Sequence, residues 1–512
     1  LKKGRVEQMR KLIQFLFIAV VLFLVEYFLI NQAAILFLVT SGLIQLCGLI
    51  IVIRLLLFDQ RNTSSKVAWI AVIFILPVLG TISYLVFGRN PATRKFSTAQ
   101  VMEKAKLINA IHAIPNNTNE KLPRLSKRIA HLTSIEPIKG NKIEILTNGE
   151  ETFPVLLDAL RKAENHIHIQ YYIFKTDEIS TKIRDILVEK AKSGVEVRFM
   201  FDGLGSSKLH KAFLAPLKEA GVSIHAFDPI TSPWIVRTAN LRNHRKIVVI
   251  DGQIGFTGGL NIGEEYRSNT PDFRVWRDTH IKITGQAVIE LQESFLNDWV
   301  YMENQAGAAD QFISEAGLQQ YFSPVDVGDE WAQVIYGGPY DKEKWVRDSM
   351  LDLIDSAKES VWIVSPYFVP DEESLAVIRR VAMSGVDVRV IIPGKGDRGI
   401  SFHGSNAYVK TMIEAGAKMY AYADDSFVHA KAMLVDGTRA AIGTANFDVR
   451  SFRLNHELMV FLYDESEAMH HLKRDFEKDF EDSRLFTMKD MENKPLLTRI
   501  KEVLSSLLSP IL

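Results

Sequence analysis

The sequence predicts an α/β protein: two similar α-β-α lobes forming a pseudo-dimer, preceded by N-terminal transmembrane helices. Three observations predict it. Long charge-free runs are confined to the front of the 512-residue chain, the rest of the chain is duplicated, and within each copy near-continuous apolar strands alternate with helical segments.

The front, residues 1–90, reads as a membrane module with apolar runs over about 12–30, 33–57 and 67–87. The second and third meet the ~20-residue requirement for a membrane helix. The first reaches that length only if Glu26 sits near an interface, and a cleaved signal peptide is the alternative to a retained anchor. Basic residues flank more than one loop (Arg5, Arg10 and Lys11; Arg54, Arg61 and Lys66; Arg89, Arg94 and Lys95), so the side of the membrane stays open. The expected location is the cell membrane, with several passes.

A polar linker, 91–128, leads to a first lobe at 129–325 and a second at 326–488. The copies align over several stretches: "KAENHIHIQYYIF" with "SAKESVWIVSPYF", "SGVEVRFMFDG" with "SGVDVRVIIPG", and "EAGVSIHAF" with "EAGAKMYAY". The expected sheet is mixed and largely parallel, with helices on both faces. Residues 489–512 end the chain as an amphipathic helix, with Leu496, Leu497, Ile500, Val503, Leu504, Leu507, Leu508 and Ile511 on one face. That face has two readings, docking on the protein or lying in a membrane interface.

The chemistry-bearing signal is the pair "NHRKIVVIDGQIGFTGGLN" and "VHAKAMLVDGTRAAIGTAN". His244-x-Lys246-x4-Asp251 matches His429-x-Lys431-x4-Asp436, and Asn261 and Asn446 each follow their histidine by 17 positions. Two aligned copies arise by chance on the order of 0.1 % of the time. In an extended segment, residues i and i+2 share a face, so each histidine stands beside its lysine. Gly259, Thr444, Asn261 and Asn446 follow at the end of the next strand, where close backbone approach and amide donors suit a phosphate. Two histidines across a pseudo-twofold axis can divide the work, a neutral imidazole attacking phosphorus and an imidazolium protonating the leaving oxygen, which requires pKa values held apart. Lys246 and Lys431 would meet charge on the non-bridging oxygens, with no metal and no cofactor. Asp251 and Asp436 complete the catalytic motif, yet their place at the strand end suits holding a turn. Asp278 and Glu457, at the starts of corresponding later strands, are candidates for orienting the histidines.

Bulk composition narrows the function class. With 61 basic and 61 acidic residues the chain lacks the basic excess of a nucleic-acid enzyme, and its single cysteine, Cys47, excludes a cysteine-based metal site.

On these motifs, the duplication and "SSKVAWIAVIFILPVLGTISYLVFGR" (64–89), the chain resembles the phospholipase D superfamily and, within it, the bacterial cardiolipin synthases. The resemblance implies His244 as the nucleophile forming a phosphatidyl-enzyme and His429 as general acid, then base. It implies transfer of a phosphatidyl group from one phosphatidylglycerol to another, giving cardiolipin and glycerol. The implied partners are phosphatidylglycerol, membrane lipids and the membrane itself; no nucleic acid is expected, and an oligomer is compatible with the sequence. Rival readings are a membrane-anchored phospholipase D using water, or a related phosphatidyltransferase with another acceptor. A non-catalytic scaffold gives no reason for both copies to carry His, Lys and Asn.

Overall fold

The computed structural model describes residues 20, 34–59, 63–88, 124–229, 240–268, 270–271, 273–306, 318–396, 399–463 and 465–507. The chain divides into two compact units, Leu1–Asn90 and Pro91–Leu512.

In the first unit, Ala34–Leu57 forms one 24-residue helix, about 36 Å long and long enough to cross a hydrocarbon core. Its Leu43, Leu46, Leu49, Ile50, Ile53 and Leu56 are 44–58 % exposed, a surface suited to lipid and costly in water. The third apolar run does not form the single span expected for it. It breaks at Leu76 into helices Thr63–Ile75 and Pro77–Phe87, because proline disfavours helical backbone in the residue before it and supplies no N–H of its own. The two pieces fold back on each other so closely that a Cβ on Gly80 would lie 2.3 Å from the Val72 carbonyl oxygen. A small core of Leu55, Trp69, Ile73 and Tyr84 ties this pair to the long helix. Only Ala34–Leu57 is long and apolar enough to span among the described residues, and the first run, but for Val20, lies outside them.

The second unit is built on one continuous 16-stranded sheet. From one edge, fifteen of its strands among the described residues run 483–485, 418–422, 387–393, 360–364, 432–435, 439–443, 455–463 and 330–337, then 138–147, 279–285, 254–258, 247–250, 166–171, 196–202 and 223–227, and the sixteenth, 242–243, pairs with 455–463 beside this path. The second half repeats the first in mirror order about the antiparallel seam between Ile138–Thr147 and Glu330–Gly337. The duplicated lobes therefore share hydrogen bonds as well as a boundary.

Apart from the two-residue pairing of 242–243 with 455–456, parallel pairing in this sheet is confined to 166–171 with 196–202 with 223–227, and to 360–364 with 387–393 with 418–422. The remaining ladders are antiparallel, so the sheet is mixed but not largely parallel. The cause is local: Asp251-Gly252 and Asp436-Gly437 take positive φ and close tight hairpins after each His-Lys segment. Helices Asn148–Arg161, Glu178–Lys192 and Lys211–Glu219 cover one face of the first lobe. On the opposite face, one core joins Ile145, Ile283, Leu291 and Phe295 to Leu458, Val460, Met469 and Phe476 of the second lobe. Helix Arg124–Thr133 begins within the expected linker and buries Leu125 and Ile129 against the second lobe.

Candidate active site

Each His-Lys segment reaches across the seam. Arg242–Asn243 pairs in parallel with Asn455–His456 of the second lobe, and the His244 N–H donates to the His456 carbonyl at 3.0 Å. In the mirror arrangement Phe427–Val428 pairs with Trp276–Arg277, and the His429 N–H donates to the Arg277 carbonyl at 2.7 Å. These two-residue pairings place each histidine beside a carboxylate of the other lobe. His244 Nδ1 lies 3.0 and 3.1 Å from the oxygens of Glu457, and His429 Nδ1 lies 2.6 Å from Asp278.

A carboxylate can only accept, so each ring carries its hydrogen on Nδ1 and keeps a lone pair on Nε2. Burial pushes the Glu457 carboxyl up, but His244, Lys246 and the Thr444 hydroxyl hold it below its ordinary range. Burial acts likewise on Asp278, where His429, Lys431 and the Thr279 N–H prevail. Both carboxylates are thus ionised.

The histidines themselves are held down to about 4, chiefly by burial. Glu457 opposes that shift at His244, and the charges of Lys246 and Lys431 reinforce it. At His429, Lys431 and Lys246 lower the value while Asp278 raises it. Each lysine acts on both rings, which brings the two motifs into one electrostatic site. The expected separation of the two pKa values is absent in this state, because both rings are equally deep and both face the same two cations. Lys246, also buried, is held down to about 7.

The lysines differ in detail. Lys246 Nζ donates to the His244 carbonyl at 2.6 Å and sits over the Tyr172 ring. Lys431 Nζ lies 2.9 and 3.1 Å from the two ring nitrogens of His429 and also bonds the His429 carbonyl. With Nδ1 donating to Asp278, the lysine hydrogen goes to Nε2.

Asn261 and Asn446 are buried at the ends of the following strands. Asn261 Oδ1 accepts from the Ile173 N–H at 3.2 Å, which leaves its amide hydrogens as donors. Gly259 and Thr444, expected to serve a phosphate, are turned to the carboxylates instead. The Gly259 N–H goes to the Thr279 carbonyl, and a Cβ at Gly259 would lie 1.9 Å from Asp278 Oδ1. At the matching position Thr444 donates its hydroxyl to Glu457 at 2.6 Å and accepts from the Leu458 N–H. One position therefore makes room for the shorter acid and bonds the longer one.

Asp251 and Asp436, counted with the catalytic set, stand apart from the histidines. Asp251 accepts from the N–H groups of Glu164, Asn165 and His166, and Asp436 from those of Lys358, Glu359 and Ser360. Both sit at positive φ, 54° and 50°, and tie each hairpin to the start of the neighbouring strand.

Sequence reasoning did not find the polar clamp behind His244. Asp298 accepts from Arg245 at 2.7 Å, Asn243 at 2.8 Å and Gln170 at 2.8 Å, and Arg245 also donates to the carbonyls of Glu457 and Gly337. The signal is Gln170 in a strand, 166–171, that is buried throughout, where an amide needs partners. The second lobe has Val364, Val428 and Ala430 at the corresponding places. Around His429 the walls are aromatic instead, with Trp276 5.3 Å and Phe427 6.1 Å from its ring.

Paired histidine-lysine segments meeting across a duplicated sheet define a phospholipase D-like fold and site. Comparison with known proteins agrees. A family model described as "Cardiolipin synthase, PLD-like domain" matches residues 156–299 and 350–480, and a second, "Phospholipase_D-nuclease N-terminal", matches 48–89. The chain is 42 % identical to cardiolipin synthase 1 of Bacillus anthracis, over 98 % of this chain and 100 % of that one. It is 40 % identical to cardiolipin synthase of Geobacillus kaustophilus, over 91 % and 92 %. The crystal structure of phosphatidylserine synthase from Haemophilus influenzae shares the fold at a TM-score of 0.58 and 16 % identity, covering 76 % of this chain and all of that one. The chain belongs to the cardiolipin synthase family of the phospholipase D superfamily.

Proposed function

We propose that this protein is a membrane-anchored cardiolipin synthase that joins two phosphatidylglycerol molecules, releasing glycerol, through a phosphatidyl group carried on His244. The observation that carries the reading is the crossed arrangement, in which each histidine is oriented by a carboxylate of the opposite lobe.

His244 Nε2 attacks phosphorus of the first phosphatidylglycerol, and the P–O bond to the headgroup glycerol breaks as His429 gives that oxygen a proton. A glycerol hydroxyl of the second lipid then loses its proton to His429 and attacks phosphorus, breaking the P–N bond and restoring His244. Three asymmetries support this division of labour. Lys431 occupies Nε2 of His429, whereas Lys246 bonds the His244 carbonyl. The Asp298 clamp holds the His244 segment directly through Asn243 and Arg245, whereas at His429 the charged pair Arg277–Asp479 holds only the strand opposite it. Asp278 meets its histidine more closely than Glu457 does, and Glu457 also serves Thr444 and Asn455, so the less shared carboxylate supports an imidazolium on His429.

An entering phosphodiester supplies what the resting site lacks. Its negative charge raises both imidazole pKa values, and its oxygens draw off Lys431, whose charge had opposed protonation of His429. Lys246, Lys431, Asn261 and Asn446 then meet the charge that grows on the non-bridging oxygens. The membrane unit supports a substrate drawn from the bilayer, and a multi-pass anchor is the arrangement proposed for it, with the hairpin of Thr63–Ile75 and Pro77–Phe87 seated beside the spanning helix.

Thin-layer analysis of purified protein with phosphatidylglycerol in mixed micelles tests the reading. Cardiolipin as the main product, with little phosphatidic acid and reversal by added glycerol, is expected. Phosphatidic acid as the main product, insensitive to glycerol, makes the protein a hydrolase.

A further inference from the structure

The helix Leu496–Leu507 is mounted with its polar side inward. It packs on helix Gly399–Glu414, yet the residues it buries are Glu502 and Ser505. Glu502 pairs with Lys494 at 2.7 Å in a contact where both side chains are largely covered, and Lys494 also donates to the Asn406 carbonyl. These polar contacts set the rotation of the helix. As a result Leu496, Leu497, Ile500, Val503 and Leu504 point outward at 46–73 % exposure. Their spacing places them on one stripe, and at 100° per residue Arg499 and Lys501 fall on its two flanks, both exposed, Arg499 with one guanidinium nitrogen on the Glu492 carbonyl.

An ordinary surface helix buries its apolar stripe and shows its polar one. The reverse mounting, with a cation on either side of the stripe and the helix's one carboxylate tied up inside, matches a lipid interface. Leucine, isoleucine and valine enter the acyl boundary, and the basic side chains extend to anionic phosphates. We propose that the outward face of Leu496–Leu507 is a second membrane contact, which seats the catalytic unit on a bilayer of anionic phospholipid. The contact is separate from the spanning segment at Ala34–Leu57, and it does not depend on which acceptor the enzyme uses.

The test uses the full chain, with Cys47→Ser to remove the single cysteine, reconstituted in vesicles of phosphatidylglycerol and phosphatidylcholine. An environment-sensitive dye is placed at Leu504→Cys and, as a control, at Lys473→Cys on a different exposed helix. The proposal expects a blue-shifted dye at 504 that is quenched by doxyl-labelled lipid, and a water-like, unquenched dye at 473. A dye at 504 as water-exposed as that at 473 overturns it. So does a blue shift without doxyl quenching, which marks a protein partner such as a second copy. In parallel, Leu497→Glu/Leu504→Glu should lower turnover on vesicles by about tenfold and leave turnover in mixed micelles unchanged. Equal loss in both assays also overturns the proposal. The dye measurement needs no turnover, so it separates failure of this contact from failure of the proposed reaction.

Discussion

Asp278 of the first lobe holds Nδ1 of His429 of the second at 2.6 Å, and Glu457 returns the arrangement to His244. Each motif histidine takes its acid from the opposite lobe. The duplicated halves are thereby bound to act together, and the pairing is set by two short parallel bridges across the seam.

Removing either acid should disable the site without unfolding the protein. Asp278→Asn and Glu457→Gln keep shape but lose the charge and put an NH2 donor in place of one oxygen, which turned toward Nδ1 favours the wrong tautomer, and turnover should fall on the order of 10²–10⁴-fold. Steady-state kinetics beside a thermal melt checks this. Near-normal turnover in both variants would mean that the crossed acids do not orient the histidines.

Gly259→Ala is a sharper probe, since its new methyl would overlap Asp278 Oδ1. The carboxylate must swing away from His429, and a displacement of about 1 Å costs on the order of 10² in kcat. Thr444, at the matching place, tolerates no such prediction because it bonds Glu457 instead of clearing space for it. Wild-type kcat in Gly259→Ala would contradict the placement of Asp278.

Asp251→Ala should act on stability, not chemistry. It removes the acceptor of three backbone N–H groups and leaves a non-glycine residue at φ 54°, at a cost of about 1–3 kcal/mol. The melting temperature should drop while kcat of the folded enzyme hardly changes. A large kcat loss at unchanged stability would return Asp251 to the catalytic set.

Acid should destabilise the fold before the carboxylates titrate. His166, His168, His244, His280, His429 and His456 are all held below 6.5 by burial, with His244, His429 and His456 at about 4 and His280 at about 3. Unfolded, each takes up a proton near pH 6.5; folded, it does not, so stability is full above that pH and declines as pH falls toward 4. Asp448 and Asp479, held up to about 6 by burial, work in the opposite direction, as do Glu290, Asp202, Asp348 and Asp352, but the ordinary carboxyl value lies below pH 5 while that of the histidines, 6.5, lies inside the range from 7.5 to 5, so the histidines prevail there. Thermal melts in detergent from pH 7.5 to 5 should show a falling midpoint; a rising one contradicts the buried neutral histidines.

The sequence shows which residues of the two copies correspond, and this made His244, Lys246, His429 and Lys431 legible as one constellation. It does not show which copy completes which. Asp278 and Glu457 stood out as orienting candidates, but their crossing depends on the parallel bridges at Arg242–Asn243 and Phe427–Val428, which are too short to carry a periodic signal. The purposes of Gly259 and Thr444 were hidden for the same reason, since each answers a side chain from a distant strand. The break in the third apolar run was readable from Pro77. Hydrophobicity over a spanning length masked it, although the proline rule is local and stronger. Antiparallel ladders were readable too, from the Asp-Gly turn after each motif.

The most direct test of the account is to find the covalent group. Wild-type protein, His244→Ala and His429→Ala are each given phosphatidylglycerol labelled in the phosphatidyl group, quenched in denaturant at a pH that preserves phosphohistidine, and mapped by peptide mass spectrometry. Label is expected on the peptide carrying His244 in the wild type, with slow accumulation there in His429→Ala and none in His244→Ala. Label on His429 in the His244→Ala protein would contradict it.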